Sequence, residues 1–449
     1  MLLKKGTFKR NAIYTFSSNV LITVFNFAFY PFLTKYYSPN AFAEYAICML
    51  ILNNLNIVNT LGYPEALIVS KTKKKFLVLA SSIFLISLAI SLLAFIIFYF
   101  AQSIFWSQFN QSPFSWIIIV FPLSLIMALN SIVSMGTVRF GVLEKNAKVS
   151  TVIKLISKLL VLAVGLLGLA NGLGLLIGDI VFFLAIVLLV LPKTLLVLLY
   201  REIFRFDINA KIHALKQYFD YPKFVFPTIW MAILPAQIPL WLIGSYYTVE
   251  SIGLYSFCVG VLGVPVGVLV KSMRPVLFHK NLQLVTEEKA MQVKKIKKLV
   301  NGLIFSYGTY LVLGYWGIDL FYENLFSEKW NDGKELMKAI LIGSGSIVLG
   351  SPLSSIFKVK NKIKTDLFIR LVIVAMLFPL SLAILESGFD FNSYSLLFNL
   401  AYALGFVMLL LFQLKEYHFS HSELMTTLVR IVLVLSMCYC CTYLLKSQF

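Results

Sequence analysis

The chain has 449 residues, 59% of them hydrophobic and 13% charged, with 39 Lys and Arg against 20 Asp and Glu. Soluble domains run about 45–50% apolar and about 25% charged, so a soluble enzyme could not hide this much apolar surface, and a disordered chain would show the opposite balance. Lipid is therefore the main solvent, and the formal charge of +19 has to be read from where the charges sit.

A bilayer-spanning helix needs about 20 mostly apolar residues. In chain order such runs occupy 13–33, 43–69, 76–100, 114–138, 149–170 and 172–192. A polar stretch follows, then runs at 222–246, 252–270, 299–322, 335–357, 366–386 and 394–414, with a last one at 426–445. The runs are long and continuously apolar, without the ten-residue alternation of barrel strands, so helices are expected. Segment 13–33 follows Lys4, Lys5, Lys9 and Arg10 but contains Asn19 and Asn26 and lacks a small-x-small cleavage site, which makes it a first membrane helix rather than a signal peptide. The expected fold class is an all-α polytopic membrane protein of twelve core helices plus an extra C-terminal span.

Orientation follows from basic residues in the loops. With the N-terminus inside, Lys35, Lys329, Lys334, Lys338 and Lys446 face out, Lys154 and Lys158 lie within the fifth span, and the other 32 of the 39 face in. Most of the charge therefore specifies topology and sits against anionic lipid headgroups. The thirteenth segment then puts the C-terminus outside. Short loops leave no room for a nucleic-acid recognition fold.

A repeat is written into the chain. Tyr36-Tyr37-Ser38, Phe42-Ala43-Glu44-Tyr45 and Cys48 recur as Tyr246-Tyr247-Thr248, Ile252-Gly253-Leu254-Tyr255 and Cys258, always 210 residues on. Both copies fall between the first and second helix of a six-helix set. Two parallel six-helix lobes are expected, 1–200 and 222–414, related by an axis along the membrane normal. The polar stretch 193–221, with Arg201, Arg205, Lys211 and Lys216, links them; its core is 201–221, and 415–449 carries the extra helix.

Ionisable groups inside a span are costly and point to function. Lys154 and Lys158 are four apart and share a helix face; Lys158 lies about 13 Å into its span. Either a lysine pairs with Asp179 of the sixth span, or the two form a cationic cavity wall for an anion, and the readings are compatible. Asn53, Asn56 and Asn59 of the second span share a polar face that suits hydroxyl-rich cargo or bonds a neighbouring helix. Arg139 and Arg274 stand at inner helix ends, as anchors or cavity cations. Glu44, Glu65 and Asp179 are candidate ion-coupling sites.

Four histidines lie outside the spans, and His418 with His421 lacks an evident third ligand. The cysteines (Cys48, Cys258, Cys438, Cys440, Cys441) form no CxxC and read as small hydrophobes. No metal, cofactor, phosphate-binding glycine loop or catalytic cluster is expected, and the chain does not read as an enzyme.

The run Pro31-Phe32-Leu33-Thr34-Lys35-Tyr36-Tyr37-Ser38-Pro39, followed by Phe42-Ala43-Glu44-Tyr45, resembles the first outer loop of polysaccharide-transport proteins of the multidrug/oligosaccharidyl-lipid/polysaccharide exporter superfamily. Ala43 stands where that family usually has glycine. The second half resembles it in Tyr221-Pro222, Pro227, Pro239, Gly253-Leu254-Tyr255, Pro265 and Arg274-Pro275. The resemblance covers the chain to about residue 414 and extends to Wzx-type flippases. It implies alternating-access transport of an undecaprenyl-pyrophosphate-linked oligosaccharide across the bacterial inner membrane, for O-antigen or another surface polysaccharide. A polysaccharide polymerase and a chain-length regulator would be the implied protein partners. Export of about two negative charges from an inside-negative cell would gain roughly 4–5 kcal/mol per 100 mV. A drug or cation antiporter of the same superfamily, or a membrane enzyme of glycan assembly, are the competing classes.

Overall fold

The computed structural model describes residues 5–108, 115–190, 193–205, 207–284 and 287–446; the expected spans are helical where described, 43–69 and 335–357 each being divided among more than one helix, residues 114 and 191–192 of two spans lie outside the described residues, and no strand occurs among the described residues. Among the described residues, 10 helices are long and apolar enough to cross a membrane, and Val20–Tyr36 adds a shorter apolar stretch. The helices Lys289–Leu325 and His421–Lys446, which carry the expected spans 299–322 and 426–445, stand outside that set. In the first, tyrosines and glycines dilute the apolar run; in the second, the side chains after Met437 lie outside the described residues.

Packing divides the chain into two units, Met1–Phe29 with Tyr36–Gly253, and Tyr30–Lys35 with Leu254–Phe449. The first holds most of α1 (Lys5–Tyr36), then α2 (Pro39–Thr60), α3 (Pro64–Val69), α4 (Lys73–Gln108), α5 (Val120–Phe140), α6 (Leu143–Leu166), α7 (Gly172–Leu189), α8 (Lys193–Ile203), α9 (Ile208–Gln217) and α10 (Phe226–Tyr246). The second is built on α11 (Val249–Leu284), α12 (Lys289–Leu325), α13 (Gly333–Gly350), α14 (Ser355–Val359), α15 (Ile363–Glu386), α16 (Phe391–Glu416) and α17 (His421–Lys446).

This packing division is a different cut from the linker at 201–221 that the repeat suggests, because side chains tie α10 to the first unit. The Trp230 indole N–H donates to Asn54 Oδ1 at 2.9 Å, and Asn54 Nδ2 donates to Gln237 Oε1 at 2.7 Å. The converse holds for Tyr30–Lys35. Ser327 Oγ and the Trp330 indole donate to the Thr34 carbonyl at 2.6 and 3.3 Å, and Tyr30 meets the edge of Phe257.

The repeat itself reappears in local chemistry. Ser38 caps α2 by accepting from the Ala41 N–H at 3.3 Å, and Thr248, 210 residues on, accepts from the Ser251 N–H at the same distance. Each hydroxyl satisfies one of the orphan donors at a helix start. Cys48 and Cys258 are both fully buried and unoxidised. At the other end of α2, Leu61 and Gly62 take left-handed backbone (φ 47° and 71°), and a Cβ on Gly62 would stand 2.9 Å from the Phe226 nitrogen. The second expected span is therefore broken, and α3 continues it as a separate helix.

Burial sorts the helices by solvent. In α4 only 17% of the apolar window is buried, and Leu92, Leu93, Ile96 and Ile97 are exposed, as a lipid-facing helix requires. In the Gly333–Val359 segment 78% is buried, because Gly343, Ser344, Gly345 and Ser346 let α16 and α12 approach closely. The linker helices are amphipathic. Leu195 and Leu199 of α8 pack inward, while Val197 and Tyr200 of α8, Phe204 in the turn, and Ile208 and Ile212 of α9 are exposed. Lys211 is buried, and its ammonium joins the two helices by donating to the Ile203 and Arg205 carbonyls.

Candidate functional site

The site grows from a close approach of α6 and α7. A Cβ on Gly178 would stand 2.5 Å from Val161 Cγ2 and 3.0 Å from the Ser157 carbonyl oxygen, so only glycine permits this contact. Asn171 caps α7 by accepting from the Gly174 N–H, and Glu44 of α2 accepts from the Gly172 N–H at 2.8 Å. These fixings set Asp179 opposite Lys154. The ammonium donates to Asp179 Oδ1 at 2.9 Å, and the Tyr45 hydroxyl donates to Oδ2 at 2.6 Å. Lys154 Nζ also lies 4.6 Å from the centre of the Phe182 ring.

Lys158 stands one turn deeper on the same helix. It is half-buried, and it makes no hydrogen bond or ion pair with any described residue. Two cations thus share one carboxylate. A matched ion pair at membrane depth offsets most of its own desolvation cost, whereas an extra lysine does not, and such a charge needs water or an anion beside it. Of the two lysines that the sequence placed within reach of Asp179, geometry selects Lys154 as the partner and leaves Lys158 surplus.

Towards the start of α6 lies a cavity of about 300 Å³ lined by Asn130, Ser131, Ser134 and Met135 of α5, Asn146 and Ser150 of α6, and Phe182 and Ile186 of α7. None of the described residues that line it is charged. Ser131 Oγ donates to the Met127 carbonyl at 3.0 Å and Ser150 Oγ to Asn146 Oδ1 at 3.2 Å. Among the described residues, the Asn130 carboxamide, the Ser134 hydroxyl and the Asn146 amide N–H groups bond nothing. Phe182 is common to the cavity and the lysine cluster.

The remaining sequence candidates are dispersed. Asn59 Nδ2 donates to Ser124 Oγ at 3.1 Å, and the Asn59 carbonyl accepts from Ser87, so this residue fastens α2 to α5 and α4. Asn53 and Asn56 are half-buried, and Asn56 Oδ1 is buried with no partner among the described residues. Arg139 donates to the Ser70 and Lys71 carbonyls at 2.9 and 3.2 Å, an anchoring role at the end of α5. Glu65 sits in the first turn of α3, where a carboxylate suits the helix dipole. The side chains of Arg274 and Asn19 lie outside the described residues. No group of three or more His, Cys, Asp or Glu that could hold a metal occurs among the described residues.

Sequence reasoning singled out neither Tyr45 as a site residue nor the cavity lining. A signal was present for part of it: Asn146, Ser150, Lys154 and Lys158 follow one another at four-residue steps, a single ridge of α6. Nothing local marks Asn130 or Ser134, which reach the cavity only by packing of α5.

Residues 32–335 match the family described as "Polysaccharide biosynthesis protein". No curated protein sequence matches the chain. Among solved structures it is similar to the lipid II flippase MurJ in an inward closed conformation, with a TM-score of 0.65 and 17% identity over 96% of this chain and 98% of that one. It is also similar to an inward-facing multidrug resistance MATE family transporter of the MOP superfamily, with a TM-score of 0.54 and 11% identity over 91% and 98%. The bent form of the Vibrio cholerae MATE transporter VcmN gives 0.52 and 14% over 95% and 100%. The chain belongs to the polysaccharide biosynthesis protein family and has the fold of these transporters, as the first-loop resemblance implied.

Proposed function

We propose that this member of the polysaccharide biosynthesis family is a flippase, a multi-pass membrane transporter that moves a lipid-linked oligosaccharide by alternating access. The observation that carries the reading is the surplus cation of the Lys154–Asp179–Lys158 cluster, held at membrane depth by α6 and α7. A pyrophosphate-linked lipid fits this chemistry, because its head is anionic and its tail can stay in the bilayer while the head crosses. The MurJ-like fold and the family's place in polysaccharide biosynthesis support the same class of cargo. The specific cargo we propose is an undecaprenyl-pyrophosphate-linked repeat unit for O-antigen or another surface polysaccharide, carried across the bacterial inner membrane with the N-terminus cytoplasmic.

Arrival of the pyrophosphate would pull Lys154 away from Asp179, leaving that carboxylate to take a proton or a sodium ion. Asp179 is therefore the favoured coupling site over Glu44, which is engaged at the start of α7. A drug or cation antiporter would be served by a surplus of acid, and the cluster has a surplus of base.

The test replaces Lys158 by Ala and, separately, by Glu, and measures surface polysaccharide at matched protein levels. Loss of display in both, deeper for Lys158→Glu, is expected; wild-type display from both overturns the reading.

A further inference from the structure

We propose that the neutral cavity between α5, α6 and α7 is a saccharide subsite, so that one face of α6 reads the cargo in order, sugar first and pyrophosphate next. The inference rests on the flippase reading above and adds to it where the carbohydrate binds.

The cavity's chemistry selects its ligand. Asn130 and Ser134 present side-chain donors and acceptors, and Asn146 its amide N–H groups, that bond no described residue. All three residues are half-buried, so water or a ligand can reach these groups and take up their hydrogen-bonding capacity. The lining mixes amides, which donate and accept from different atoms, with hydroxyls, which do both from one. A sugar hydroxyl has the same dual character. An anion would call for cations and a drug-like cation for carboxylates or bare aromatic faces, yet none of the described residues that line the space is charged. At about 300 Å³ it lies at the small end of ligand sites.

Its position selects the order. Asn146, Ser150, Lys154 and Lys158 stand at successive four-residue steps, each about 6 Å along the helix. The two members nearer the start of α6 line the neutral cavity, and the two deeper ones form the cationic cluster. Phe182 joins the two compartments, since its ring lines the cavity and lies under the Lys154 ammonium. In a lipid-linked saccharide the pyrophosphate lies between lipid and sugar. A head whose pyrophosphate reaches Lys154 and Lys158 therefore places its first sugar beside Ser150 and Asn146.

The experiment uses the full chain purified into nanodiscs and two ligands, a polyprenyl pyrophosphate and the same lipid bearing a saccharide. Asn130→Ala and Ser134→Ala remove side-chain groups that bond no described residue, so folding should be unaffected; Ser134→Leu fills the space as a second variant. Each is expected to weaken binding of the saccharide-bearing lipid by about tenfold and of the bare lipid by less than about twofold. Equal weakening of both lipids, or no change in either, overturns the subsite. Lys158→Ala is run alongside and should weaken both ligands. No effect of Lys158→Ala on either would overturn the anion role instead, while the contrast between sugar-bearing and bare lipid would still report on the cavity.

Discussion

The two copies of the repeat place a tyrosine at equivalent positions, Tyr45 and Tyr255, and their partners differ in kind. Tyr45 donates to the Asp179 carboxylate on the sixth span, α7, while Tyr255 accepts at 3.5 Å from the Asn399 carboxamide on the twelfth, α16. Asp179 draws in Lys154; Asn399 is satisfied by the Ser395 carbonyl of its own helix. Counted from the first residue of two 24-residue helices, Lys154 and Lys158 of α6 stand where α15 has Val374 and Phe378. The same scaffold position thus serves a neutral, self-contained contact in one copy and an ionic cluster with a surplus cation in the other. The second copy's helix α15 carries a matched pair, Arg370 with Asp366 at 2.8 Å, whereas α6 carries two cations against the one carboxylate of Asp179.

The sharpest way to break this comparison is to remove the acceptor in each copy. Asp179→Ala leaves Lys154 buried without its counter-ion and should cost about 3 kcal/mol, whereas Asn399→Ala loses neutral hydrogen bonds and should cost about 1 kcal/mol. Thermal unfolding of the purified proteins reads the difference, and equal losses would erase the distinction. A double replacement, Lys154→Met with Asp179→Leu, should recover most of that stability, since matched apolar residues often replace a buried pair at little cost. Surface polysaccharide should nevertheless stay absent in the double variant. Restored display would make the pair purely structural.

Smaller effects refine the picture. Tyr45→Phe removes a hydrogen bond to a charged group and should destabilise by about 2 kcal/mol, against about 0.5 kcal/mol for Tyr255→Phe. Lys158→Met should change stability least, within about 0.5 kcal/mol, because no described partner is lost. A large loss of stability there would show that Lys158 holds the fold together, and would remove the case for a surplus charge.

The expected spans fell on helices because the 3.6-residue backbone must satisfy its own hydrogen bonds in lipid, and a long apolar run leaves few other solutions. Lys154, Lys158 and Asp179 were equally visible, since charge inside an apolar run stands out against its local sequence. Arg139 was visible too, but its two carbonyl partners in the turn before α4 are contacts no local pattern specifies.

Other features depended on which helices meet. Asn54 looked like its neighbours Asn53 and Asn56, yet it alone bonds Trp230 and Gln237 and draws α10 into the first unit. The sequence by itself determined a membrane-embedded helical chain, a motif that recurs 210 residues on, and the presence of two deep lysines. Tertiary structure decided that Lys154 pairs with Asp179, that Lys158 is left over, and that a neutral polar cavity adjoins them. The physical reason is that hydropathy is a property of each segment, whereas pairing and cavity shape follow from helix approach, set here by the missing side chain of Gly178.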